Sequence, residues 1–186
     1  NNTVVPSSDY RYDAPPSVSR ETYIAGWCTP GVIPGWGVSP ACDEAGAMYD
    51  ILVAASIDPA VQFGQASHET VLGLAGVGVP SIKNLHGVQC HRGDNRIGDS
   101  PVPWGNKCAG IYATYAAAVE TWARLINREY VAEGLNTPDL AVLKYAPAGA
   151  DGNNPPRGIE RLQGRTRGCR GAVPSASPRH HLSSRS

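Results

Sequence analysis

Residues 58–73 read DPAVQFGQASHETVLG, a short segment with a helix start signal, one carboxylate near its end and a final glycine. The opening Asp-Pro pair supplies a side-chain cap followed by a residue suited to the first helical position. At 3.6 residues per turn, Gln62, Gln65 and Glu69 fall on one side of the helix and apolar residues spread over the other. The pattern therefore predicts a mainly buried helix with one polar face.

Glu69 stands beside amides on this apolar helix, next to a glycine-rich turn. Partial burial disfavours the ionised carboxyl, so such a group can keep a proton and act as a general acid. The alternative is a solvated surface group, the commoner case for a glutamate near a helix end. A zinc peptidase is a third interpretation, because His68-Glu69 begins like H-E-x-x-H. Leu72 stands at the position of the second histidine, so that pair of zinc ligands cannot form.

Length and composition favour a single domain. The chain has 186 residues, and its 21 Gly and 16 Pro predict extensive loops. The formal net charge is zero, but the charge is unevenly distributed. Residues 1–156 contain nine basic and 15 acidic residues, a net charge of −6, and residues 157–186 contain seven Arg and one Glu, a net charge of +6. The acidic part argues against nucleic-acid binding, and no stretch predicts a membrane span. The polar, Pro/Ser-rich opening does not match a signal peptide, so we expect a mature form or a fragment.

Four of the five cysteines bracket two loops. Cys28 and Cys42 enclose a Gly/Pro/Trp-rich loop, and Cys90 and Cys108 enclose a polar one. Disulfides that close these loops would each contribute roughly 2–4 kcal/mol in an oxidising compartment. A Cys/His metal cluster lacks paired C-x-x-C spacing. We therefore expect two disulfides, an extracellular location and no metal or cofactor, with Cys169 left over.

The remaining patterns divide the chain into a flexible lead (1–20), one domain (21–156) that begins with a loop-rich segment (21–39), and a basic, disordered tail (157–186). Helices are expected over roughly 40–56 and 114–131, and a shorter one is expected from Thr137-Pro138 to Ala146-Pro147. The second of these helices has an apolar stripe formed by Tyr115, Val119, Trp122 and Ile126. Residues 84–89 are expected to be extended and to precede a small hairpin. The tail is explained either by a reading-frame shift or chimeric end near residue 156, or by a basic segment that binds anionic cell-wall polymers.

Four segments occur in the order found in a known enzyme family: 57–78, 83–89, 112–126 and 130–155. The run from Ala66 to Gly73 matches the family's A-x-x-E-S-x-x-G motif with Thr in place of Ser, and NLHGV at 84–88 matches N-L-F-G-I with His in place of Phe. A later Tyr-Ala-Thr-Asp-type run is approximated by residues 145–147 and 151–153. Over about residues 40–155 the chain resembles glucosaminidase domains of the lysozyme-like superfamily, closest to glycoside hydrolase family 73 and mannosyl-glycoprotein endo-β-N-acetylglucosaminidase-like domains.

The resemblance implies a mainly α (α+β) fold, a lysozyme-like helical domain with a small β lobe and a cleft between them. It also implies cleavage of β-1,4 bonds in peptidoglycan or another N-acetylglucosamine-containing glycan, by a monomer that is secreted, wall-associated or carried on a phage virion. Glu69 would be the general acid and Tyr145 would face it across the cleft. The substrate-binding residues would be Gln65, Asn84, His86 and Gln89. The alternatives are core packing for Tyr145, a turn-fixing role for Asn84 and a satisfied loop position for His86.

A second carboxylate is harder to assign. The β lobe offers Asp94, which we favour, and Asp99, although aspartates in loops are more often turn residues. If neither reaches the cleft, the substrate's own N-acetyl group could be the nucleophile, or a single-acid lytic transglycosylase reaction could form an anhydro-sugar. A catalytically silent glycan-binding module and a structural component of a phage are the alternatives from other functional classes.

Overall fold

The computed structural model describes residues 10–92, 94–102 and 108–145, and it shows a mainly helical fold with one small antiparallel sheet. Within these residues the α-helices and strands are α1 (Arg20–Cys28), α2 (Ala45–Ala54), α3 (Pro59–Thr70), β1 (Gly98–Pro101), β2 (Cys108–Ile111), α4 (Tyr115–Glu129) and α5 (Pro138–Tyr145). Short 3-10 helices occur at Cys42–Glu44, Gly76–Gly78 and Val131–Glu133. The mainly α class with a small β part is therefore confirmed, and the lysozyme-like assignment stays a prediction.

Local caps account for where the predicted helices begin. The Asp58 carboxylate accepts a hydrogen bond from the Ala60 N–H at 3.0 Å at the start of α3, and the Thr114 hydroxyl accepts one from Ala117 at 3.0 Å at the start of α4. The helix expected from about residue 40 begins later, at Ala45, because residues 42–44 first form a 3-10 turn.

Helix α1 lies in a segment that the sequence patterns favour as loop. The Ser19 hydroxyl accepts a hydrogen bond from the Thr22 N–H at 3.2 Å and caps it. Tyr23 and Trp27, one turn apart, are both buried. The helix also contains Gly26, which lowers helix propensity but lets the ring of Phe63 approach: a Cβ there would lie 3.0 Å from Phe63 Cε2.

Tyr12, in the segment that the sequence predicts to be a flexible lead, packs against the domain. Tyr12 is only 2% exposed, and its backbone joins two distant segments. Its N–H donates to Asn136 O at 2.8 Å, and its carbonyl accepts from Asp58 N at 2.8 Å. These bonds hold Tyr12 beside the start of α3 and the approach to α5. Residues 1–9 and the expected tail, 157–186, lie outside the described residues.

The core is formed by α1 to α4 together with Tyr12. The predicted apolar stripe of α4 is confirmed, since Tyr115, Val119, Trp122 and Ile126 are all buried. Trp122 is at the centre of this arrangement: the ring of Tyr12 meets it edge-on at 6.0 Å and the imidazole of His86 stacks on it at 4.4 Å.

The β part is a hairpin that a disulfide joins to the end of the 84–89 segment. Strands β1 and β2 pair antiparallel with Gly98 opposite Ile111, and Gln89 forms a bridge to Ala109. Both expected disulfides form, Cys28–Cys42 and Cys90–Cys108. In the part of the chain that the structure describes, none of the helices has the length and apolar character needed to cross a membrane.

Candidate functional site

Glu69 lies in the last turn of α3, partly buried, with Gln65 one turn earlier on the same face. Burial raises the pKa of the Glu69 carboxyl to about 7. A carboxyl in this position is therefore substantially protonated near neutral pH, although part of the residue still reaches solvent. A retained proton is one property that general acid catalysis requires.

The backbone turns sharply directly after Glu69 and Thr70. Val71, Leu72 and Gly73 all have left-handed conformations, with φ of 53°, 56° and 83°. This conformation is costly for a β-branched residue such as Val71, and strain of this kind is concentrated at functional sites. The turn lets the chain leave α3 without covering the carboxyl end of the helix.

Thr70 holds this turn together. Its hydroxyl lies 3.0 Å from Leu85 O and 3.2 Å from Ala66 O, and it accepts a hydrogen bond from the Gly73 N–H at 3.2 Å. Gly78 packs so closely that an added Cβ would lie 2.5 Å from Thr70 Cβ. Thr70 is thus a buried residue that ties the end of α3 to two neighbouring loops.

Ser39 supports the same turn from the other side. Its hydroxyl donates to Leu72 O at 2.6 Å and accepts from Ala41 N at 3.0 Å. The loop closed by the Cys28–Cys42 disulfide is therefore attached to the turn that follows Glu69.

A small pocket lies one helical turn from Glu69. It contains about 290 Å³ of empty space, part of it open to solvent, and it is lined by Tyr12, Gln65, Ile126 and Tyr130 together with Pro138, Ala141 and Val142 of α5. The Tyr12 hydroxyl donates to Gln65 Oε1 at 3.2 Å. The pKa of Tyr12 is raised, mainly by burial and further by the nearby Tyr130, Glu69 and Asp139.

Three residues near this pocket escaped the sequence patterns: Tyr12, Tyr130 and Asp139. Tyr12 falls in a Pro/Ser-rich segment typical of a linker. Tyr130 lies four positions after Ile126 and continues the apolar spacing of α4, so the pattern predicts a core residue there and not a site residue. Asp139 has the ordinary role of an acidic residue in the first turn of a helix, and it is 7% exposed. Only their tertiary positions relate them to Glu69.

His86 lies in the core at 1% exposure rather than along an open surface. The Tyr23 hydroxyl donates to Gln62 Oε1 at 2.5 Å, which turns the amide nitrogen of Gln62 toward His86 Nε2 at 2.8 Å. His86 Nε2 is therefore an acceptor, and the imidazole is neutral. Burial lowers the pKa of His86 to about 3, partly offset by a hydrogen-bonding interaction with the backbone of Gln62. The predicted substrate contact is not supported by this position, since the ring does not reach solvent.

Asn84 has the turn-fixing role that was its alternative interpretation. Its amide nitrogen donates to Val88 O at 2.7 Å and to Gly110 O at 3.1 Å, and its oxygen accepts from Val88 N at 2.9 Å. At 1% exposure it connects the 84–89 loop to β2 and offers no surface to a substrate. Gln89 is partly exposed, and its position beside Ala109 places it at the base of the hairpin.

Asp94 and Asp99 lie in a different depression, lined by residues 94–99. Asp94 is exposed and lies 3.9 Å from the Arg128 guanidinium, and Asp99 pairs with Arg96 at 2.7 Å. The structure thus gives both carboxylates exposed basic partners and does not bring them into the pocket beside Gln65. The side chain of Tyr145 and residues 151–153 lie outside what the structure describes.

Metal binding has no basis in the described residues, where no group of three His, Cys, Asp or Glu side chains is close enough to hold an ion. A scan against protein-family models, a search of curated proteins and a search of solved structures each returned no match to this chain.

Proposed function

We propose that this protein is a glycoside hydrolase that cleaves β-1,4 bonds next to N-acetylglucosamine in peptidoglycan or a similar glycan, with Glu69 as the general acid. One observation carries the proposal: Glu69, a partly buried residue whose carboxyl pKa is raised by burial to about 7, lies at the end of a helix directly before a strained left-handed turn. The motif resemblance around Glu69 supplies the substrate class. The disulfides support an oxidising, extracellular setting.

A single-acid reaction that forms an anhydro-sugar is the second candidate. It is favoured by the positions of Asp94 and Asp99, which carry arginine partners in a separate depression. Direct displacement requires two carboxyls about 5–5.5 Å apart, and inversion requires about 6.5–9.5 Å. A reaction that needs one acid removes that requirement.

Replacement of Glu69 by Gln tests the function directly. Purified wild-type and Glu69→Gln protein would be incubated with peptidoglycan, and the released fragments would be identified by mass spectrometry. We expect Glu69→Gln to lower the rate of fragment release by at least about 100-fold, the lower range of general acid catalysis. The matched control is Glu21→Gln, at an exposed glutamate of α1, which we expect to retain the wild-type rate.

The fragments also separate the candidate reactions. Products that contain an added water at a new reducing end indicate hydrolysis, whereas anhydro-sugar ends indicate the single-acid reaction. If the wild type binds wall material and releases neither product, the enzyme proposal fails in favour of a glycan-binding module. Co-purification with virion proteins would favour a structural phage component.

A further inference from the structure

The loop between α1 and α2 presents a tryptophan at the surface. Trp36 is 42% exposed, whereas Trp27 and Trp122, the other two tryptophans that the structure describes, are at most 1% exposed. Its neighbours in the chain, Gly35 and Gly37, have no side chains that could cover it, and a Cβ added to either would meet no other part of the described protein within 4 Å. A large aromatic side chain left uncovered in this way is typical of a binding surface.

The loop holds the backbone of Trp36 in place before any partner binds. The Trp36 N–H donates to Ile33 O at 3.1 Å, and the Trp36 carbonyl accepts from Gly31 N at 3.1 Å. Ile33 also packs against the core, and the Cys28–Cys42 disulfide closes the loop. A side chain on a backbone ordered in advance loses less entropy when it binds a ligand.

This loop is also attached to the turn that follows Glu69. Ser39, three positions after Trp36, donates to Leu72 O at 2.6 Å, and Leu72 is three positions after Glu69. Three residues of chain span at most about 11 Å, so Trp36 lies within about 30 Å of Glu69. A polymeric substrate that is bound at Glu69 can extend over that distance.

Charge and area favour a glycan as the partner of Trp36. Residues 29–41 contain no charged side chain, and the net charge of −6 over residues 1–156 opposes binding to an anionic membrane. The exposed large apolar side chains of this loop are Trp36 and Val38. An aromatic side chain offers at most about 250 Å², whereas a stable protein interface needs about 800 Å² from each partner. The C–H bonds on one face of a sugar ring can pack on the negatively polarised face of a single indole.

We propose that Trp36 is a stacking platform for one sugar ring of the glycan strand, away from the bond that Glu69 cleaves. This inference rests on the proposed function and adds a second point of contact with the same substrate. The geometry that carries it is an uncovered indole on a loop that is fastened, through Ser39, to the turn after Glu69.

Replacement of Trp36 by Ala tests the platform in protein that does not cleave its ligand. Glu69→Gln protein with and without Trp36→Ala would be titrated with soluble peptidoglycan strands freed of their peptides, after thermal melts show that both are folded. We expect Trp36→Ala to weaken binding about 10-fold, and Trp36→Tyr, which keeps an aromatic face, to weaken it less than about threefold. The matched control is Val53→Ala, at a side chain of α2 that is also 42% exposed and that should leave the affinity unchanged.

The outcomes separate the platform from the proposed function. No measurable binding of the strands, or equal affinity with and without Trp36→Ala, overturns the platform even if the wild type cleaves peptidoglycan. Binding that depends on Trp36, in a wild type that releases no fragments, overturns the proposed function and leaves the platform standing. Binding to vesicles of phosphatidylglycerol and phosphatidylcholine, or self-association, that Trp36→Ala abolishes while the affinity for the strands is unchanged would assign the indole to a membrane or to a second copy of the chain.

Discussion

Glu69 is a residue whose burial has an energetic cost for the fold. Its pKa is about 4.5 in an unfolded chain and about 7 in the folded protein, so the folded state holds the proton more tightly. The contribution of Glu69 to the free energy of unfolding is therefore fully present below about pH 4.5, and it is lost as the pH rises toward and through 7. Converted by linkage, the loss is at most about 3 kcal/mol. Such a cost is expected where catalysis requires a protonated carboxyl.

Replacement of Glu69 by Gln should remove this pH dependence. We expect the free energy of unfolding of Glu69→Gln, measured in urea, to exceed that of the wild type at pH 8 and the two values to converge at pH 4. In the active wild type, kcat/KM should fall above an apparent pKa near 7. Stability curves that run parallel from pH 4 to pH 8 would show that the carboxyl is not held protonated by the fold.

His86 has the opposite pH signature. Its folded pKa, about 3, lies below its ordinary value of 6.5, so the unfolded chain takes up a proton that the buried imidazole does not. The contribution of His86 to the free energy of unfolding should be fully present above about pH 6.5 and should be lost as the pH falls toward 3. The slope from this one residue is at most about 1.4 kcal/mol per pH unit.

The variant His86→Phe isolates that contribution, since Phe can still stack on Trp122. At pH 7 we expect a loss of about 1–3 kcal/mol, because the buried amide nitrogen of Gln62 loses its acceptor. Between pH 6.5 and 4 the variant should lose less stability than the wild type in urea titrations. His91→Gln, at an exposed histidine, is the control. If His86→Phe keeps the wild-type slope, the imidazole is not responsible for it.

At the scale of the element, the end of α3 depends on one hydroxyl. Thr70→Val removes a group that contacts Leu85 O and accepts from Gly73 N, without changing the side-chain volume greatly. We expect a loss of about 1–3 kcal/mol in urea, since two buried backbone groups lose a partner. Thr70→Ser keeps the hydroxyl and should lose less than about 1 kcal/mol. A larger loss for Ser than for Val would assign the stabilisation to the methyl group instead.

Helix starts were predictable where the signal is local. Asp58 and Thr114 cap α3 and α4 with hydrogen bonds to residues two or three positions along, and such caps are visible as residue types in the sequence. Helix α1 was not predictable in this way, because its Gly26 argues against a helix. That glycine is required by the ring of Phe63, 37 positions further along the chain, and periodicity does not report such a contact.

At the scale of the molecule, the sequence singled out Glu69 but did not predict which residues surround it. Glu69 stands out because a helix pattern and a glycine turn surround it. Tyr12 reaches the same site through backbone bonds to Asp58 and Asn136, residues far from it in sequence. His86 and Asn84 belong to a matched motif, yet tertiary packing buries both, so a motif position alone did not predict exposure.

The two disulfides lie in different parts of the molecule, one in the helical part and one at the hairpin. Cys28–Cys42 closes the loop between α1 and α2, and Cys90–Cys108 joins the 84–89 segment to β2, with sequence separations of 14 and 18. A disulfide lowers the chain entropy of the unfolded state, and bridges that close loops of similar length lower it by similar amounts. Removal of either bridge should therefore decrease the free energy of unfolding by about 3 kcal/mol. When two sites share no contacts, the losses in free energy of unfolding from changing each one should add to within about 0.5 kcal/mol.

Paired replacement by alanine tests this additivity. The variants Cys28→Ala/Cys42→Ala and Cys90→Ala/Cys108→Ala, and the combination of all four changes, would be unfolded in urea at pH 7. We expect the combined loss to equal the sum of the two separate losses. A thiol reductant should lower the stability of the wild type and leave that of the fourfold variant unchanged, which controls for effects of the reductant itself.

A combined loss that differs from the sum by more than about 1 kcal/mol would mean that the hairpin and the loop before α2 are energetically coupled. The turn at Val71–Gly73 would be the expected route of that coupling. Ser39 ties this turn to the loop before α2, and Thr70 ties it to Leu85 in the 84–89 segment that leads to Cys90.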